Sequence, residues 1–561
     1  MAHPLGSFLA DSARQAGRAC RGGWKVLLTQ GPSKFQFWLI ALLIGTASGF
    51  AALTFRRGIE WFQGFVYRTE NINRLHSFAE TLPWYWILIV PILGGLVVGL
   101  LLDRFSDDAR AQGPADVIAA AALNNGRLSL REGFASIAAS FVTLSTGGST
   151  GREGPVVHFA GVISTWVSQK IQANGITGRD LLGCAVAAAV SASFNAPIAG
   201  ALFALEVVLR HFAVHAFAPI VIASVAGTVI SRLEFGNVTE FMLPMSVTAF
   251  YQELPAFLLL GGVCGFVAVA LMWTIFWAED MAHQIMTHSP LKRWMRPVIS
   301  GAMLGLLAIF FPHIIGVGYE TTSAALSGEI LLHEAIVFVA LKIIAVAITM
   351  AGRMGGGVFS PALMVGALTG LAFGLIATSI FPEVSGSHTL YALAGMGGVA
   401  AAVLGAPIST TLIVFELTGD WQTGLAVMVT VSISTALGSR LVDRSFFLTQ
   451  LERRGLHVAA GPQAYLLGTR SVSSMMREVE ADKGATEEAC WALIEQNVYA
   501  SPNATLETLM PMFENTSTAF IPVIQMRGEG AGPELLGAVH HVDALKAYNK
   551  ALAETAAEEH S

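Results

Sequence analysis

Two short stretches of this chain carry the residue types needed to hold a small anion. Gly151-Arg152-Glu153-Gly154-Pro155 and Gly357-Val358-Phe359-Ser360-Pro361 both read Gly-x-x-x-Pro. Glycine lets a backbone turn tightly and approach a ligand closely. Proline fits the first turn of a helix, where its missing N–H has no helical partner to lose. Each stretch therefore predicts a helix start whose free N–H groups and positive dipole end form an anion site. Two such starts can hold an anion without a full positive charge that would bind it too tightly to release. Glu153 is the revealing residue. A carboxylate at an anion-binding helix start can occupy the site itself as a tethered anion, and protonation would neutralise it and free the site. The plainer alternative is a helix-start glutamate that only complements the dipole.

The elements that position these residues are duplicated. Asn195-Ala196-Pro197-Ile198 follows the first stretch, and Gly405-Ala406-Pro407-Ile408 follows the second. Each Ala-Pro-Ile is trailed by a leucine five residues after the proline (Leu202, Leu412) and a glutamate nine residues after it (Glu206, Glu416). The two copies lie 206 residues apart at Pro155 and Pro361, and 210 apart at Pro197 and Pro407. Paired Gly/Pro-interrupted segments at matching positions of two halves point to a transporter-like duplication whose broken helices meet at a midplane site.

Composition agrees. The chain is 53% hydrophobic and 13% charged, with mean hydropathy +0.59; a soluble domain would be nearer a quarter charged. Apolar runs at Phe37–Thr54, Trp84–Leu102, Phe257–Trp277, Val298–Ile315 and Leu425–Leu441 are each predicted to span a bilayer, which takes about 20 helical residues. Others, including Phe134–Leu144, Pro155–Val167 and Pro361–Ile376, read as short or broken. Such helices are tolerated where their ends are buried in protein or line a wet cavity. The expectation is an all-α polytopic membrane protein of many tilted, uneven helices. Arg14, Arg18, Arg21, Lys25 and Lys34 at one end, and Arg440, Arg444, Arg453 and Arg454 after the last span, predict that both ends are cytoplasmic. No apolar core within the first 30 residues suggests a signal peptide. Residues 1–34 read as a cytoplasmic segment, 35–455 as the membrane domain with repeats at about 35–250 and 251–455, and 456–561 as a cytoplasmic tail.

These motifs resemble the voltage-gated chloride channel (CLC) family of channels and proton-coupled chloride exchangers. Gly-Arg-Glu-Gly-Pro at 151–155 matches its gating-glutamate motif, Gly-Val-Phe-Ser-Pro at 357–361 its Gly-x-Phe-x-Pro motif, and Ser193-Phe194-Asn195-Ala196-Pro197-Ile198-Ala199-Gly200 the stretch between them. The pattern looks most like the bacterial ClC-type channel B branch, which is associated with acid resistance. The resemblance covers about residues 35–455. It implies a homodimer of inverted-repeat subunits in the inner membrane, with lipid around it. Chloride is the implied transported ligand, and no cofactor is implied. Glu153 would gate the outer end, flanked by Arg152 and Gly154, and Phe359 and the N–H groups around Val358 would line the middle. Three departures stand out. Gln112 aligns where the family's central serine would lie, Phe447 where its central tyrosine would, and Val207 at the inner proton glutamate of exchangers. Val207 leans toward a channel, and the missing hydroxyls toward weak central binding; a proton-coupled antiporter is the alternative. Glu206, repeated as Glu416, is expected to pair at a helix end rather than relay protons.

The tail alternates differently. Ala504–Met510 and Val542–Leu552 are predicted helices, and Ala519–Ile524 and Leu535–Val539 predicted strands. This order resembles one cystathionine-β-synthase (CBS) module, with Ser471–Val498 as an eroded second copy. Such modules often sense adenine nucleotides, but no nucleotide signature is readable, so packing or dimer stabilisation is the expected role. Other classes find little support. No His follows His333-Glu334 at 337, no Gly-x-x-x-x-Gly-Lys-Ser/Thr occurs, and no metal-ligand cluster is readable, which disfavours a metalloenzyme and a nucleotide-driven pump. A net charge of −6 without a basic tract argues against nucleic acid. Cys20, Cys184, Cys264 and Cys490 have no pair spacing and read as reduced packing residues.

Overall fold

The structure is a computed structural model describing residues 34–68, 74–173, 175–212, 214–236, 250–382, 385, 387–456, 458, 470–478, 485–502, 504–516, 518–526 and 533–559. The basic residues before Lys34, and Cys20, lie outside them. The first half runs α1 (Lys34–Tyr67), α2 (Leu75–Ala79), α3 (Trp84–Phe105), α4 (Pro114–Leu123), α5 (Leu130–Ser145), α6 (Glu153–Lys170), α7 (Gly175–Phe194), α8 (Pro197–Phe203) and α9 (Val214–Phe235). The second runs α10 (Phe250–His288), α11 (Met295–Phe310), α12 (Tyr319–Ser327), α13 (Leu332–Ala351), α14 (Phe359–Ile380), α15 (His388–Leu404), α16 (Pro407–Thr418), α17 (Trp421–Leu441) and α18 (Phe446–Glu452). Setting aside α2 and α18, the halves repeat helix for helix, with α4 opposite α12 and α6 opposite α14.

Seven described helices are long and apolar enough to cross a membrane: Lys34–Tyr67, Trp84–Phe105, His215–Phe235, Gln252–His288, Leu332–Ala351, Phe359–Ile380 and Thr423–Glu452. Two expectations are corrected. Val298–Ile315 is not one span, because α11 has 16 residues and ends at Phe310, with Phe311, the residue before Pro312, already outside the helix. The residue before a proline is driven out of the helical region, and 16 residues reach only about 24 Å. Conversely Pro361–Ile376 is unbroken. Pro361 falls in the first turn of the 22-residue α14, where it breaks nothing. The glycines of that run serve packing: Gly366 and Gly370 lie against the backbone of α15 at Met396 and Ala392, the close small-residue contact that joins helices in lipid.

The chain divides into two compact units, Met1–Leu209 with Ala216–Leu456, and Arg210–His215 with His457–Ser561. In the second, α19 (Glu487–Glu495), α20 (Leu506–Thr516) and α21 (His541–Glu559) accompany β1 (Phe520–Met526) and β2 (Pro533–His540). The strands pair antiparallel, with a register shift at Val523/Ile524. Val472, Leu506, Leu509, Phe513, Ile521, Val523, Val539 and Ala544 form its core. Ser471–Val498 supplies a short 3-10 turn at Val472–Ser474 and α19, and Arg477 bridges to Ala538 beside β2.

Candidate functional site

The two Gly-x-x-x-Pro stretches meet and clasp. Gly151 N–H donates to the Gly357 carbonyl at 2.7 Å, and Gly357 N–H donates back to the Gly151 carbonyl at 2.9 Å. This is an antiparallel bridge between equivalent residues of the two halves, the contact a two-fold relation between them requires. The Thr150 hydroxyl adds a bond to the Gly357 carbonyl at 2.9 Å. The backbones are too close for side chains: a Cβ on Gly154 would stand 2.9 Å from the Gly357 Cα, and one on Gly357 3.0 Å from the Gly154 nitrogen. From this clasp α6 and α14 depart, each with its proline in the first turn. Their free N–H groups therefore open at one place.

Glu153 fills that place. It is 2% exposed, and a Cβ on Gly151 would lie 2.7 Å from Glu153 Oε2 and 3.1 Å from the Ser360 nitrogen. The carboxylate thus stands beside the start of α14 as well as at the start of its own helix. Oε1 accepts a hydrogen bond from the Tyr319 hydroxyl at 2.7 Å, and Oε2 has no hydrogen-bond partner among the described residues. Arg152 is buried beside it, with Nε 4.0 Å from Oε1 and its guanidinium 4.8 Å from the Tyr319 ring centroid. The sequence motifs missed Tyr319. The duplicated frame held the signal: Gly318-Tyr319 opens α12 at the position equivalent to Gly113-Pro114, which opens α4.

Two recesses approach the clasp. The larger is lined by Ala111, Gly113 and Pro114 at the start of α4, by Gly356, Gly357 and Val358 before α14, and by Phe447. Arg110, Arg296, Arg353, Arg453 and Arg454 lie among Asp116, Glu279 and Asp280 in its wall. These charges are tied together: Arg110 donates to both Asp116 oxygens at 2.7 and 3.0 Å, Arg454 to Asp116 at 3.0 Å, and Arg453 to Asp280. The smaller recess is lined by Arg152, Gly318 and Tyr319, with Glu60, His76, His313 and Glu320. His76 Nδ1 is 3.0 Å from Glu320 Oε2. Burial, helped by the neighbouring His313, holds the His76 imidazole down to about 4, so this contact is not an ion pair with a charged ring near neutral pH.

Val358 and Phe447 come together in the larger recess, with Gly154 behind Gly357. Gln112 does not join them. Its Nε2 donates to Glu132 at 2.6 Å and its Oε1 meets His158 Nε2 at 3.2 Å, so Ala111 and Gly113 line the recess at that point instead. The Phe359 ring packs on Phe194, at 4.7 Å, and Phe203, at 6.0 Å. Phe447 stands edge-on to Phe446 at 5.9 Å. Val207 is buried within a π turn, Ala204–Leu209, that continues α8.

Glu206 and Glu416 make reciprocal caps across the halves. Glu206 accepts from Ile408 N–H at 3.0 Å and Ser409 N–H at 2.8 Å, and from the Ser409 hydroxyl. Glu416 accepts from Ile198 N–H at 3.0 Å and Ala199 N–H at 2.8 Å. Each carboxylate satisfies the orphan donors at the other half's Ala-Pro-Ile helix start. Among the described residues no cluster of His, Cys, Asp or Glu is arranged to hold a metal.

A family model for voltage gated chloride channels matches residues 94–439. The chain is 30% identical over 394 residues to a ClcB-like chloride channel protein of Ralstonia nicotianae, covering 70% of this chain and 90% of that one. Its fold is similar to the crystal structure of a slow cyanobacterial Cl−/H+ antiporter, with TM-score 0.65 at 21% identity over 74% of this chain and 97% of the other. It is also similar to that of a eukaryotic CLC transporter, with TM-score 0.63 at 16% identity over 90% and 97%. With two clasped helix starts, a buried glutamate between them and these relatives, the chain belongs to the voltage-gated chloride channel (CLC) family, on its ClcB-like branch.

Proposed function

We propose that the chain conducts chloride across the inner membrane through a path closed by Glu153, as a channel-like member of the family. The observation that carries this reading is the buried Glu153 carboxylate standing where α6 and α14 both present free N–H groups. There it takes the position of an anion. Protonation removes its charge, weakens its hold on those dipoles, and lets an anion compete for them. The larger recess, with its arginine-rich wall and the uncharged end formed by Val358 and Phe447, is the inner approach to the site. The smaller recess is the outer one. Both termini are cytoplasmic, and the functional unit is a homodimer with one path per subunit. An anion conductance opened by acid would serve as an electrical shunt in acid resistance.

Val207 favours a channel over an exchanger, because no carboxylate stands there to accept protons, and the capped Glu206 is engaged as a structural acceptor. The antiporter reading is favoured by two solved structures of similar fold, described as a Cl−/H+ antiporter and a CLC-type fluoride/proton antiporter. Reversal potentials in liposomes under separate chloride and proton gradients decide between them. A channel follows the chloride gradient alone, whereas an exchanger's reversal potential moves with both. In the same liposomes Glu153→Gln should give anion flux nearly independent of pH, against wild-type flux that rises as pH falls. A Glu153→Gln protein that keeps the wild-type pH profile ends the gating reading.

A further inference from the structure

We propose that Tyr319 is the latch of the Glu153 gate: its hydroxyl holds the ionised carboxylate in the closed position and so sets the pH at which the path opens. The proposal rests on the reading of Glu153 as the gate, and it assigns that gate a partner that lies outside its motif.

The geometry is direct. The Tyr319 hydroxyl is 2.7 Å from Glu153 Oε1. Among the described residues the other carboxylate oxygen has no hydrogen-bond partner, so this bond holds the carboxylate alongside the longer 4.0 Å contact from Arg152. The hydroxyl is also 3.5 Å from Ser360 Oγ, at the start of α14, which places the latch on the seam between the halves. The two-fold relation explains its side. The start of α4, Gly113-Pro114, lines the larger recess, and the equivalent start of α12, Gly318-Tyr319, lines the smaller one. The repeat thus delivers a tyrosine to the outer face of the gate.

The segment bearing Tyr319 is anchored on both flanks. Lys342, fully buried on α13, donates to the carbonyls of Gly316 at 2.9 Å and Ile314 at 3.4 Å. Gly318 has φ of 90°, a left-handed turn that suits glycine, and a Cβ there would stand 3.3 Å from Lys342 Nζ. On the other flank Glu320 accepts from the backbone N–H of His76 at 2.9 Å and from the Ser77 hydroxyl. The hydroxyl is therefore presented to Glu153 by a segment anchored on both flanks.

A hydrogen bond donated to a carboxylate stabilises its charged form. Other groups act on Glu153 as well. Arg152 is beside it, and Glu60, His76, His313 and Glu320 line the recess in front, with Lys342 behind Gly318. None of these changes in Tyr319→Phe, which keeps the ring under Arg152 and removes only the hydroxyl. Bonds to charged groups are among the stronger ones, and losing one should raise the pH of half-maximal anion flux by about one to two units.

The test is chloride efflux from proteoliposomes between pH 4 and 8 for wild type, Glu153→Gln, Tyr319→Phe and the double variant. The expected result is an upward shift of the midpoint in Tyr319→Phe, and the same flat profile in Glu153→Gln with or without Tyr319. If Glu153→Gln is flat while Tyr319→Phe keeps the wild-type midpoint, the latch is wrong and the gate stands. If Glu153→Gln keeps the wild-type profile, the gate itself is wrong. Should Tyr319→Phe yield no folded protein, 3-fluorotyrosine at 319 preserves the shape and donates more strongly, and the midpoint must then move down. An unmoved midpoint there overturns the latch equally.

Discussion

Replacing the reciprocal caps Glu206 and Glu416 distinguishes a structural role from proton relay. Glu416 takes two backbone N–H groups and Glu206 takes two plus the Ser409 hydroxyl. A hydrogen bond to a charged acceptor is worth about 1.5–3 kcal/mol. Ile198 and Ile408 are about half exposed, at 56% and 48%, so water can recover part of that at each helix start. Glu416→Ala should then cost about 2–4 kcal/mol, and Glu206→Ala about 1.5–3 kcal/mol more through the Ser409 hydroxyl. Glutamine is not a conservative change here, because its Nε2 would face an N–H donor. Oriented with Oε1 toward Ser409, Glu206→Gln gives up only the Ile408 bond and should match Glu416→Gln. Fluorescence-detected thermal melting in detergent gives the order: Glu206→Ala lowest, then Glu416→Ala, then the two glutamine variants, then wild type. A relay makes the opposite claim. Glu206→Gln melting with the wild type while abolishing chloride-driven proton movement would refute the cap.

Other outcomes follow from single contacts. Gly154→Ala should sharply lower the yield of folded protein, since its Cβ would meet the Gly357 Cα at 2.9 Å and the Pro114 Cδ at 3.3 Å; yield of a monodisperse peak on size exclusion reads this. Central chloride binding should be weak, because Ala111, Gly113, Val358 and Phe447 bring no side-chain hydroxyl to the larger recess. Each missing neutral bond is worth about 0.5–1.5 kcal/mol, so two lower affinity roughly ten- to a hundredfold; titration calorimetry giving a dissociation constant well below millimolar contradicts it. In the tail, Arg477 donates to both oxygens of Asp543 at 2.6 and 2.7 Å and holds its carboxyl below the usual range. The stabilisation is fully present above the ordinary aspartate value of about 3.9 and is lost as pH falls from there through the lower folded-state value. Protection of α21 against hydrogen exchange, corrected for the slower intrinsic exchange in acid, should therefore fall below about pH 4 in wild type, modestly for an exposed pair, and much less in Asp543→Asn.

The duplicated Gly-x-x-x-Pro and Ala-Pro-Ile stretches were enough to place four helix starts, because proline and glycine act through local backbone geometry and need no neighbour. Helix length was less legible. Whether Pro312 ends a helix and Pro361 begins one depends on where each falls in its turn, which hydropathy does not register. The tail's two strands and flanking helices were readable from alternation, while the outer ends of β1 and α20 ran past the expected limits.

What the sequence determined by itself was the repeat, the membrane character and the identity of Glu153, all properties of residue type and spacing along the chain. What only the tertiary structure decided was who meets whom across the repeat. Gly151 pairs with Gly357, Glu206 caps the start at Pro407, Glu416 caps the start at Pro197, and Tyr319 reaches Glu153 from 166 residues away. The same holds for Gln112, whose amide turns from the recess because Glu132 and His158 offer it both a carboxylate acceptor and a ring nitrogen. Such pairings are set by the folding of one half against the other. No local pattern encodes them, since each partner's own segment would form the same helix start without the other.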